Sequence, residues 1–222
     1  MDKVIAWTFI FESLICLVYA DEPSINGFIQ TNYSVRVSDD NPPGAEQGNL
    51  IMGEERFQIK GSYSKDNLGL FVKSDFFHDW YEEDFNADLR LGYFDFSGDR
   101  FGLRAGKQIL TWGVGDLLFI NDVFPKDWAA FLTGAPLEYL KFGSDALKVG
   151  VYPGSMGAEA VVTPVFAPDR APGPDRLFFF DPLLGFTERV TERPTVEFEH
   201  MQLAGRVYGR WSRYELAGYT ST

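Results

Sequence analysis

Nine basic side chains, Arg36, Arg56, Lys60, Lys73, Arg90, Arg104, Arg206, Arg210 and Arg213, fall on one phase of a two-residue alternation, against Asp75, Asp88 and Glu215 on the same phase. Successive strand residues point to opposite faces, so one phase is one surface of a sheet. If the other phase meets lipid, these cations line a pore. Rings of Arg and Lys in a pore lower the barrier to anions and raise it for cations. A second group follows Thr111-Trp112-Gly113, where the alternation stops: Asp122, Pro125, Lys126, Asp127 and Trp128. Pro125 ahead of 126–132 and Gly134 behind predict a short helix. A long loop carrying it, 114–143, either folds into the lumen and narrows it or packs outward on the rim.

Other chemistry is thin. His78 and His200 each lack a second His or Cys at ligand spacing. There is no Gly-x-Ser-x-Gly, phosphate loop or dinucleotide fingerprint. No catalytic residue, metal or cofactor is assigned, and the chain does not read as an enzyme. Asp39-Asp40-Asn41 lacks the spacing of a calcium loop and reads as a solvated turn. Trp112, Trp128 and Trp211 could stack on a sugar ring, but interface anchoring or rim packing is the commoner role of Trp in barrels.

The elements that must position these residues are strands. Alternation marks 27–37, 55–63, 68–77, 88–96, 101–112, 146–152, 158–166, 197–211 and 213–222, about nine in all. In the first, Ile29, Thr31, Tyr33, Val35 and Val37 oppose Phe28, Gln30, Asn32, Ser34 and Arg36. The register of 88–96 is open after Tyr93. Pro164 marks a strand end or bulge, and Lys107 falls outward unless a bulge at Gly106 turns it in. Tight turns at 64–67, 97–100 and 153–157 alternate with long Asp-, Pro- and Gly-bearing loops such as 38–49 and 167–194. That asymmetry is expected where one end of a barrel faces outside and the other the periplasm.

Lys3, the largely apolar run 4–18 and Val18-Tyr19-Ala20 read as a secretion signal cleaved after Ala20. Glu12 and the short run argue against a membrane anchor. The one cysteine, Cys16, lies in that segment, and Ser13-Leu14-Ile15 lacks the small residue expected before a lipidated cysteine. The exported chain, 21–222, therefore has no disulfide. The full chain carries 20 basic and 32 acidic residues, net −12. Loss of Lys3, Asp2 and Glu12 leaves 19 against 30, and such acidity argues against nucleic acid as a partner. Aromatic residues reach 16% while mean hydropathy is −0.15 and no second long apolar run exists. That excludes a helical membrane protein and suits strands of about 9 to 11 residues with alternate side chains in lipid.

The run GKQILTWGVGDLLFINDVFPKDWAAFL, followed by DALKVGVYPGSMGAEAVVTPVFAPDRAP, resembles a group of porin-like outer-membrane β-barrel proteins of diderm bacteria, most of them domains of unknown function. Their pattern is a strand ending in Gly-Arg-Gln, a Trp-Gly pair and a loop of the type Asp-hydrophobic-x-Pro-x-Asp; here Lys107 replaces the Arg. The resemblance covers 103–172. It implies a fold, a location and a protein about twice this length, and no substrate. With an odd strand count and no terminal aromatic after Thr220-Ser221-Thr222, the expectation is an all-β fold. It is expected to be the N-terminal portion, about nine strands, of an antiparallel transmembrane β-barrel with a helix-bearing long loop, a complete barrel of about eight or ten strands being the alternative.

The function expected is an outer-membrane channel for passive diffusion of small hydrophilic solutes, with anions favoured by the inward cations. Its partners would be outer-membrane lipid and lipopolysaccharide, the barrel-assembly machinery and the solute. Two alternatives stay open: a non-conducting barrel acting as surface scaffold or complex partner, and a soluble periplasmic β-sandwich whose aromatics form a core between two sheets.

Overall fold

The computed structural model describes residues 23–37, 41–42, 45, 47–112, 122–173, 176–177, 200–211 and 214–222. The signal segment 1–20, Asp39, Asp40, Arg213 and most of the loop 167–194 lie outside them. Nine strands form one antiparallel sheet in sequence order, β1 (Ser24–Val35), β2 (Leu50–Lys65), β3 (Leu68–Asp79), β4 (Asp84–Ser97), β5 (Phe101–Gln108), β6 (Ser144–Val151), β7 (Met156–Thr163), β8 (Gln202–Trp211) and β9 (Tyr214–Ser221). Between β5 and β6 lie α1 (Trp128–Thr133) and a 3-10 turn (Leu137–Leu140). The sheet is open: β1 and β9 are its edges, so the strands form a single antiparallel meander and not a closed barrel.

The two faces are inverted relative to a water-soluble sheet. On one phase Arg56, Gln58 and Asp75 are buried, and so are Gln108 and Glu159. On the other, Phe57, Phe94, Leu147 and Val207 are exposed, and Ile29 keeps 80% of its surface. Cα partners share a face, and the registers Gln58↔Asp75, Arg104↔Lys148 and Glu159↔Arg206 carry the polar face across the sheet. Buried charge and exposed large apolar side chains are the informative departures from ordinary burial. Among the described residues no second sheet covers the apolar face.

Strand limits and registers depart from the alternation at several strands, and three of these departures have a clear cause. β2 starts at Leu50 rather than 55, because pairing with β1 runs on to Val35↔Leu50. β5 stops at Gln108 rather than 112, because Leu110 and Trp112 turn onto the polar face and join Phe124, Ala146 and Val161 in a buried apolar cluster. β4 shifts register at Arg90: Lys73 pairs with Leu91 and Ser74 with Leu89, leaving Arg90 over. That bulge reverses the phase beyond it, so Tyr93 and Asp95 join the polar face.

Candidate functional site on the polar face

The loop from β5 to β6 lies across the polar face. One anchor is the apolar cluster on β6 and β7, where Trp112 Nε1 donates to Glu159 at 3.1 Å and its ring meets Phe124 edge to face at 5.2 Å. The other is the 3-10 turn on β2 to β4. There the Tyr139 ring lies between two guanidinium groups, 4.3 Å from Arg56 and 4.1 Å from Arg90, and its hydroxyl is 3.4 Å from Gln58 Nε2. Glu138 meets Lys73 at 3.0 Å. Gln58 and Lys73 are mid-strand residues, so this segment sits at mid-height on the polar face and not at its rim. Burial pushes the Tyr139 phenol up to about 12, against the opposing pull of Arg56.

Local sequence explains the loop's shape. Asp127 caps α1 by accepting from the Ala130 amide at 2.8 Å, and Gly134 closes it in the left-handed conformation at φ 91°. Asp122 is enclosed beside the Lys126 and Lys141 ammonium groups, each at 3.4 Å, with Thr111 at 3.2 Å. Desolvation lowers the Lys126 ammonium below the ordinary lysine range, with Asp122 opposing. Trp128 Nε1 donates to Asp169 at 3.0 Å. Pro125 precedes the helix, which begins at Trp128 rather than 126 because Asp127 serves as its cap.

The inward cations are mostly paired. Arg56 is held by Glu54 at 2.6 Å and Asp75 at 2.5 Å, Arg104 by Asp95 at 2.6 Å, and Arg206 by Glu159 at 2.8 Å. Lys60 lies 5.6 Å from the Phe71 ring, and Arg210 is the Cα partner of Glu215. Arg36 stands apart: it lies past the end of β1 and donates to Asn41, Gly48 and Arg176 carbonyl or amide oxygens among the loops. The net positive wall expected from the alternation is thus offset by Glu54, Asp95 and Glu159 on the same face. Glu54 precedes the residue at which alternation begins, and Asp95 enters the face only through the Arg90 bulge. Glu159 stands out as the one charge in Ala158–Thr163 and was legible there. Tyr139 had no periodic signal.

Lys107 falls on the outward phase of β5, yet its ammonium lies 3.8 Å from Asp88 on the polar face. Gly106 takes φ 120°, and a Cβ there would meet the Gly92 carbonyl oxygen at 2.3 Å. The β4–β5 ladder itself keeps one register to Gly92↔Lys107, its last pair.

Two adjoining cavities lie beside the loop. A volume of about 180 Å³ is lined by Arg56, Arg90, Asp88 and Tyr139, and one of about 690 Å³ lies among the loops; both touch Asp127, Phe142, Arg170 and Arg176. Among the described residues no group of His, Cys, Asp and Glu is placed to hold a metal, and no helix is long and apolar enough to cross a membrane. No family model matches the chain, and no curated protein matches it.

Proposed function

We propose that this chain forms the wall of a porin-like outer-membrane channel, through which small hydrophilic solutes diffuse along the polar face and past the loop bearing α1. The observation that carries the reading is the inverted sheet: ion pairs are buried on one face while Phe57, Phe94, Leu147 and Val207 stand exposed on the other. Water gives such a face no partner; hydrocarbon does. Free strand edges cost several kcal/mol per unsatisfied amide in lipid, so in the membrane β1 and β9 are paired in a closed barrel. Lipid and lipopolysaccharide would contact the apolar belt, and assembly machinery would insert it.

The test is conductance. Chain purified from outer membranes and added to a planar bilayer is expected to give discrete steps, and a protein that shifts on an unheated gel but gives no steps would remove the channel. The non-conducting barrel has one specific observation in its favour. The β5–β6 loop is anchored at both ends of its span, on Trp112 and on Tyr139, so the polar face is partly filled.

A further inference from the structure

Arg90 is a buried cation of the polar face with no carboxylate partner among the described residues. The bulge at β4 leaves it without a Cα partner, and bulges re-aim side chains. It is 5% exposed, its guanidinium lies on the Tyr139 ring, and it donates to the Glu138 carbonyl and, at 3.4 Å, to that of Lys141. Among the described residues no carboxylate pairs with it, and its Nε has no hydrogen-bond partner. Arg56, two strands away, has both Glu54 and Asp75. A buried cation left with an unused donor is costly unless something supplies the missing negative charge.

Arg90 also lines the cavity of about 180 Å³, which shares Arg170 and Arg176 with the larger space among the loops. Among the described carboxylates lining that cavity, Asp88 is weakly engaged, 44% exposed and 3.8 Å from Lys107. We infer that Arg90 is the anion subsite of the constriction, binding a small oxyanion, the phosphate or carboxylate group of a solute, through the part of its guanidinium that lines this cavity, with Asp88 on the same cavity limiting the affinity. The inference rests on the channel reading for its solute but not for the binding itself.

Calorimetric titration of the full-length chain in detergent with inorganic phosphate, and separately with acetate, tests it. The expected result is saturable binding that Arg90→Gln weakens by about tenfold or more, the size of one lost charge-assisted hydrogen bond. Asp88→Asn, a change at a half-exposed site, is expected to tighten it severalfold and decides the matter if Arg90→Gln does not fold. Binding unchanged by either variant, or absent, overturns the subsite. Conductance in potassium chloride, measured in parallel, separates the readings: channels without oxyanion binding remove the subsite alone, and binding without channels removes the channel alone.

Discussion

Asp75 is 1% exposed and is held by Arg56 at 2.5 Å and Gln58 at 2.6 Å. Such a pair adds little beyond an apolar replacement, but removing one partner strands the other. Arg56→Ala is therefore expected to cost about 3–5 kcal/mol, read as a lower urea midpoint for loss of the compact form; a shift under about 1 kcal/mol would mean that Asp75 finds water. A backbone constraint acts at Gly106, where Ala would be strained at φ 120° and would drive a Cβ into the Gly92 carbonyl. Gly106→Ala is expected to destabilise by about 1–3 kcal/mol in the same assay. At this scale the sequence was half informative. Alternation put Arg56, Lys60, Lys73, Arg104 and Arg206 on one face, where they lie, but it missed their partners Glu54 and Asp95. Strand ends and a bulge decide those, and neither has a period.

The loop from β5 to β6 is the element that distinguishes this sheet. Pro125 and Gly134 announced its helix, because residues at helix ends act locally and leave a local signature, whereas Asp127, read as part of the helix, is its N-cap. The 3-10 turn that docks on Arg56 and Arg90 had none, since its place is set by ring-on-guanidinium contacts with strands distant in sequence. Those contacts set a pH limit. The Tyr139 phenol sits at about 12 when docked and near 10 when free. The docked state therefore holds its proton more tightly, and docking is intact below pH 10 and weakens as pH rises from 10 to 12. Tyrosinate absorbance of the chain minus that of Tyr139→Phe is expected to titrate well above 10; a midpoint at 10 would mean an undocked ring. Gly134→Ala places a side chain at φ 91° and 2.6 Å from Ser34 Oγ. It is expected to loosen the loop by about 1 kcal/mol or more, seen as faster proteolysis between β5 and β6.

At the scale of the molecule, the sheet's order and the inversion of its faces were legible, because a two-residue period is imposed by the pleat itself and needs no tertiary information. The odd strand count had pointed to an incomplete barrel, and the nine strands do leave β1 and β9 as edges; what would pair with those edges leaves no local mark in the sequence. The proposed channel requires the apolar face to meet lipid. Because Cys16 is the one cysteine of the sequence, single cysteines can be placed at Phe57, Leu147 and Val207 on one face and at Lys60 and Lys148 on the other, in a Cys16→Ser background. Each is then nitroxide-labelled in reconstituted vesicles. Collision rates with oxygen, which concentrates in hydrocarbon, and with a water-soluble nickel chelate are the measurement. Oxygen-dominated collisions are expected at the first three sites and nickel-dominated collisions at the other two. Nickel access at Phe57, Leu147 and Val207, or shielding from both reagents there, would contradict it.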